Sequence, residues 1–377
     1  MSALRFDHHI APPSIKGSYK PEDVVFLLKD ISAIPLERGT EDREEAIQSG
    51  THYSEMLPVE YRPSEAYIDL FHKTLALSAP KVAEAVAVVS EQIVSKRGTS
   101  LVLVSLARAG TPIGVLIKRY IKAYYHRDLN HYSISIIRGK GIDENALKYI
   151  LINHPGEDVQ FIDGWTGKGA IRKVLIQACE KFNREYGVRL NDDLAVLADP
   201  GSCSATFGTR DDFLIPSACL NSTVSGLISR TVLRDDLIGP EDFHGAKYYA
   251  EWEKDDLSNV YVDTIEQHFD AARPDALIAA IQLLEQQGDP LTWRGEQDIR
   301  RIQQDYGISD INLIKPGVGE TTRVLLRRVP WKILVNDINN PNLVPILLLA
   351  NEREVPIEVY PDMTYSCCGI IKPLREE

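Results

Sequence analysis

The chain reads as an α/β protein, a parallel sheet with a hood above it and a small second α/β domain at the C-terminal end. Three observations predict this. Apolar runs at Leu101–Val104, Tyr132–Ile137, Val159–Asp163 and Leu194–Ala198 alternate with helix-patterned segments, the rhythm of right-handed βαβ units. The third run ends on a carboxylate and breaks into Gly164-Trp165-Thr166-Gly167-Lys168-Gly169 before a helical stretch, Ala170 to Tyr186. A separate α/β pattern runs from Ile308 to Pro373, beyond a turn at Gly288-Asp289-Pro290.

Taken in order, residues 1–20 form an irregular lead-in with Pro12-Pro13 and Gly17. Pro21 to Asp30 is predicted as a helix with Pro at its first position. Glu37 to Gln48 is charge-rich, an exposed helix or loop. Ser64–Leu77 and Lys81–Lys96 are predicted as two amphipathic helices. After the first strand come a Gly-containing turn and a helix, Pro112 to Tyr125, and Glu144–Ile152 is a short helix. Residues 205–260 are polar and irregular. Asp263–Gln287 is helical with an interruption near Pro274, and Gly295–Tyr306 is the last helix before the C-terminal pattern. The expected units are 1–97 (hood), 98–260 (core), 261–307 (helical linker) and 308–377 (C-terminal domain).

Of 377 residues, 44% are apolar and 25% charged, the balance of a globular protein. No apolar run reaches membrane-span length and the N-terminus lacks an apolar h-region, so a cytoplasmic protein without a membrane partner is expected. A net charge of −12 argues against a nucleic-acid-coated chain while leaving room for a local basic patch. Five cysteines are too few for a disulfide framework at this length. Cys367-Cys368 has no CxxC partner, so zinc is not expected there.

In parallel sheets, ligands bind at the carboxyl ends of the strands. Ser105–Gly110, Arg138, Asp163 and Asp199 all fall at such ends. The Gly164–Gly169 turn is neither GxxxxGK[ST] nor GxGxxG. Its amides and the following helix start can nevertheless converge on an anion. Ser105-Leu106-Ala107-Arg108-Ala109-Gly110-Thr111-Pro112 is a second strand-to-helix loop, small enough for close backbone approach and armed with one forked donor. Ile137-Arg138-Gly139-Lys140-Gly141 adds two cations on a Gly-flanked tip.

This pair of loops resembles the diphosphate and phosphoribosyl-diphosphate (PRPP) loops of type I phosphoribosyltransferases, with the cationic tip in the place of their flap. The resemblance implies PRPP as substrate with Mg²⁺. Arg108 and the Ala107–Gly110 backbone, flanked by Ser105 and Thr111, would hold diphosphate. Thr166 to Gly169, with Gly164 and Trp165, would hold the 5′-phosphate, and Asp163 a ribose hydroxyl or a Mg²⁺-bound water. Arg138 and Lys140 would close over the site. Asp199 and Cys203 would stand near a nucleobase or nucleotide substrate, below a hood carrying His52 and Glu55. One departure is visible: the family carries two adjacent acidic residues where this chain has Asp163 alone.

Over the whole chain, His52-Tyr53-Ser54-Glu55-Met56-Leu57-Pro58, the DGWTGKG turn and Ile215-Pro216-Ser217-Ala218-Cys219-Leu220-Asn221-Ser222-Thr223 are similar to a bacterial group of tellurium-resistance (ter) stress operons. That group joins a phosphoribosyltransferase-like domain to a Pelota-type RNA-binding domain, and it also carries the label of the StiP cysteine protease. The second label implies a thiolate, Cys203 or Cys219, with His244 as base. Near the C-terminus, Gly317-Val318-Gly319-Glu320-Thr321-Thr322-Arg323 and Arg327-Arg328 resemble the helix start with which the L7Ae/Pelota fold meets RNA. Gly319, Glu320, Thr321, Arg323 and Arg328 are the implied contacts. The expectation is a phosphoribosyltransferase that binds RNA. A cysteine peptidase or a non-catalytic nucleotide and RNA binder stands as the alternative, and a homodimer as the assembly.

Overall fold

The computed structural model describes residues 10–39, 42–43, 45–46, 49–286 and 290–372. Gly288 and Asp289 of the expected turn lie outside them, as do parts of the lead-in, the charge-rich segment and the C-terminus.

Six parallel strands build the central sheet: β1 (Val25–Leu27), β2 (Leu101–Ala107), β3 (His131–Ile137), β4 (Asp158–Trp165), β5 (Leu194–Ala198) and β6 (Thr206–Thr209). Their order is β1-β3-β2-β4-β5-β6, and Gly141–Ile142 folds back antiparallel on β3. The middle strands are continuous Val/Ile/Leu runs because helices cover both faces. On one face lie α1 (Glu65–Arg97) and α2 (Thr111–Tyr125). On the other lie α3 (Glu144–Asn153) and α4 (Ala170–Tyr186). The chain leaves neighbouring strands β2 and β4 toward opposite faces, which opens a crevice between their carboxyl ends.

Three helix expectations are corrected. Pro21–Asp30 is not helical: Val25–Leu27 pairs in register with Tyr132–Ile134, and Lys29–Asp30 pairs with Gly245–Ala246. A helix this short is marginal by itself, whereas pairing at the sheet edge buries Phe26 and Leu27. The two helices expected between Ser64 and Lys96 are one, because Pro80 is on the exposed side. Phe71, Leu75, Ala79, Val82 and Val86 keep one buried stripe across it, so a proline that only strips a solvent-facing hydrogen bond does not end the helix. The break expected at Pro274 falls earlier, at Gln267-His268, between α5 (Ser258–Glu266) and α6 (Phe269–Glu285). Helix α6 packs along α1.

Helix α7 (Arg294–Asp305) leads into the C-terminal domain. There β7 (Ile314–Pro316), helix α8 (Val318–Arg327), β8 (Pro330–Val335), helix α9 (Val344–Glu352), β9 (Ile357–Val359) and β10 (Cys367–Ile371) follow. The sheet order is β7-β10-β8-β9, mixed in direction. This domain is docked on the core. Asp212 accepts the amides of Val318 at 2.9 Å and Ser366 at 2.8 Å. Apolar packing runs without a break from Ala218 and Cys219 to Val318 and Leu325. No helix among the described residues is long and apolar enough to cross a membrane.

Candidate functional site

The crevice at the carboxyl ends of β2 and β4 is walled on its far side by the C-terminal domain. Gly110 and Gly164 permit the tight fit of the two core loops. A Cβ on Gly110 would stand 2.5 Å from the Ile162 carbonyl, and one on Gly164 would stand 3.1 Å from that of Ala109.

Ser105 and Thr111 lie behind the first loop, fully buried. Ser105 Oγ is 2.7 Å from His131 Nε2 and 3.1 Å from the Gly110 carbonyl, and Thr111 Oγ1 is 2.8 Å from Ser133 Oγ. Burial lowers the His131 pKa to about 4. Its Nδ1–H donates to the Asp23 carbonyl, which leaves Nε2 to accept from Ser105. These two residues brace the loop. Ala107, Arg108 and Ala109 face the crevice, and Arg108 donates to the Ile228 carbonyl at 3.1 Å, with Glu60 3.8 Å away.

The Gly164–Gly169 turn is held from outside the core. Tyr365 Oη donates to the Gly167 carbonyl at 3.0 Å, and Lys168 Nζ to the Ile311 and Ile314 carbonyls at 2.9 and 3.3 Å. Gly169 has φ +76°, and a Cβ there would strike the Trp293 ring at 2.6 Å. Burial, then Lys315 and Arg138, lowers Lys168 to about 8. Thr166 is buried, and its hydroxyl donates to Asp199. The sequence gives no hint of this outer clamp, whose parts come from a stretch more than a hundred residues away.

Asp163 is half-buried on the crevice wall and accepts the Gly164 amide at 2.7 Å. Burial raises its pKa to about 7. Among the described residues no three His, Cys, Asp or Glu side chains gather as a metal-ligand set. One carboxylate among arginines is a poor donor set for resident Mg²⁺, which favours several hard oxygens. Asp199 is fully buried: it accepts Thr166 and the amides of Cys203 at 3.1 Å and Ser204 at 2.9 Å, and pairs with Arg210. That carboxylate clamps a loop and presents nothing to a base.

The cationic tip is the turn of a short hairpin. Tyr53 Oη accepts the Arg138 amide at 2.8 Å, and the Arg138 guanidinium reaches Asn312 of the C-terminal domain at 3.3 Å. Lys140 is exposed. His52 and Glu55 cap the turn Tyr53–Glu55, and a Cβ on Gly139 would sit 3.4 Å from His52 Nε2.

On α8, Gly319 packs toward Ala218 and Thr321 is fully buried. Glu320 and Arg323 pair at 3.0 Å, and Arg323 also donates to the Ala218 carbonyl. The Arg323 guanidinium lies 5.5 Å from the Trp165 ring centre. Burial alone would raise the Glu320 pKa, but Arg323 and Lys315 hold it below its ordinary value. This helix start therefore faces the core, and Arg328 is exposed at the rim. Three hollows of about 620, 350 and 250 Å³ meet here, with Arg323 lining all of them. Arg230 joins Arg108 in two of the three. It has no local signal in the sequence, being a lone arginine in a polar stretch.

All five cysteines are buried, and none is in a disulfide. The structure does not bring His244 to Cys203 or Cys219. His244 Nδ1 is 2.8 Å from Ser135 Oγ, and its amide donates to Asp143. Cys219 lies in the core packing that includes Tyr261. Cys203 Sγ is 3.7 Å from Asp199 Oδ1 and stands 3.5 Å from the position of a Cβ on Gly169. Burial raises its pKa, opposed by the Thr166 hydroxyl and by Arg172 and Lys173.

Comparison with known proteins follows this geometry closely in extent. Residues 17–266 match the family described as tellurite-like stress resistance cysteine protease StiP, and residues 293–373 match the PELOTA RNA-binding domain. A protein of Acinetobacter baylyi named cysteine protease StiP is 35% identical over 364 residues, which cover 94% of this chain and 92% of the relative. These matches overturn the expected phosphoribosyltransferase. The segment assigned to PRPP chemistry falls inside the span that carries the protease name.

Proposed function

The chain belongs to the StiP family, and on that footing we propose a cysteine peptidase of a tellurite-like stress response whose C-terminal domain binds RNA. The match that carries this reading covers 94% of this chain and 92% of the relative of that name. Cys203 is the thiol the geometry favours. It sits beside the Gly-rich turn and the start of α4, where the Thr166 hydroxyl and Arg172 oppose, without cancelling, the rise in pKa that burial imposes. Asp199 Oδ1 is its nearest acceptor. The thiol would attack a peptide carbonyl with its proton passing to the departing amine as the acyl-enzyme forms, and water would then hydrolyse the thioester, releasing the acid and the thiol. Helix-start amides are suited to the developing oxyanion. Substrate access requires the Trp293 ring to move off Gly169.

Peptide hydrolysis and labelling by a thiol-directed probe test the assignment. Cys203→Ala should lower turnover by orders of magnitude and abolish labelling, while Cys219→Ala retains both. Full turnover in Cys203→Ala would remove Cys203 from the reaction. One observation favours a second reading, a non-catalytic binder of nucleotide and RNA: the Cys203 thiol is hydrogen-bonded to Asp199 rather than to a histidine. No hydrolysis and no labelling by the unmodified chain would favour it.

A further inference from the structure

The largest of these three hollows carries seven cationic side chains against two carboxylates, with Arg62 paired to Asp255 and Arg323 to Glu320, in a chain of net charge −12. Charge of this sign is concentrated, not spread. The Arg230 side chain makes no hydrogen bond or close ion pair among the described residues and lines the hollow. Burial, then Arg108, Arg43 and Arg323, lowers its pKa to about 10, with Glu60 opposing them in part. Like charges held together in this way are relieved by an anion.

The two walls come from different domains. Arg108 and Arg230 belong to the core, while Lys315 and Arg323 belong to the C-terminal domain. Tyr61, 72% exposed, stands at the same hollow. An aromatic ring beside a line of cations is the pattern by which single strands are held, bases stacking and phosphates pairing. The aromatic group of Tyr306, Trp331 and Tyr360 outside the hollow lacks this charge excess, since its Lys332 pairs with Glu358 at 2.8 Å.

We propose that the cleft between the domains is an RNA groove for one unpaired strand, its phosphates shared by Arg108 and Arg230 of the core and Lys315 and Arg323 of the C-terminal domain, with a base stacked on Tyr61. The inference rests on the RNA-binding reading of the C-terminal domain and adds the core as half of the site. A hollow of about 620 Å³ suits a nucleotide or two, not a duplex whose recognition spans successive grooves.

Fluorescence anisotropy of the full chain with a labelled single-stranded RNA tests the groove. Arg230→Gln should weaken binding about 10-fold and reduce the slope of log K against log salt by about 0.7, the share of one phosphate contact on a single strand. Tyr61→Ala should weaken binding about 10-fold with the slope unchanged. Arg230→Lys should fall between, and Lys332→Ala should bind like the unmodified chain. Thermal melting establishes that each variant is folded. If Lys332→Ala loses binding while Arg230→Gln and Tyr61→Ala keep it, RNA lies on the outer face: the groove is overturned and the RNA-binding domain stands. If the unmodified chain binds no RNA, the reading of the domain itself fails. Saturable binding of a free nucleotide that Arg230→Gln abolishes would then give the cleft to a small molecule.

Discussion

Asp163 and Asp199 end neighbouring strands of one sheet, yet they live in opposite circumstances. Asp199 is fully buried and answered from four sides, by a hydroxyl, two amides and a guanidinium. Asp163 accepts one amide from its own neighbour and looks into a cleft walled by arginines. Position at a strand end is therefore not enough to assign a role. The number of partners a buried carboxylate already has separates a structural clamp from a group still free to act.

The sharpest way to break this contrast is Asp199→Ala. It orphans the Cys203 and Ser204 amides and the Arg210 charge, and should lower stability by about 3 kcal/mol, read as a drop in the urea midpoint. An unchanged midpoint would show that the clamp is idle. Asp212, which clamps across the domain junction, should come next: Asp212→Ala should cost about 2 kcal/mol and speed hydrogen exchange at the Val318 and Ser366 amides before the core strands. Simultaneous loss of protection in β2 would instead make the junction part of one cooperative unit.

The effect of Asp163 appears only as a pH dependence. Its folded pKa of about 7 lies above the ordinary carboxylate value, so the folded chain keeps a proton that the unfolded chain has released. Stability from this group is complete below about pH 4 and is lost as pH rises through about 7. Asp163→Asn should flatten that slope in melting temperature, with the variant at least as stable as the parent at pH 8. A slope that persists in the variant would assign it to other groups.

The central sheet was legible because β2 to β5 are apolar runs between turn residues, and period and length alone mark them. The helix starts read at Pro112, Ala170 and Gly295 fall within one residue of those observed. Less visible was which way a residue in a doubly covered strand points: Ser105 and Asp163 both precede loops, and only packing buries one and opens the other. Pro80 misled because a proline's effect depends on the side of the helix it occupies. The largest gap was between distant segments. Nothing around Gly317–Arg323 indicates that it faces inward, nor around Trp293 that it rests on Gly169, since both depend on how two separately patterned domains meet. The PRPP reading failed there too: a Gly-rich turn specifies an anion-ready backbone, not a reaction.

Trp293 lies across Gly169 while its amide donates to the Ser202 carbonyl, and Gly295 donates to that of Gly201. The first turn of α7 is thereby sewn to both loops that flank Cys203. Sequence would draw a border between modules at this point, but mechanically it is a latch. A displacement of the C-terminal domain that carried α7 with it would break these two hydrogen bonds and take the Trp293 ring off Gly169, next to the thiol.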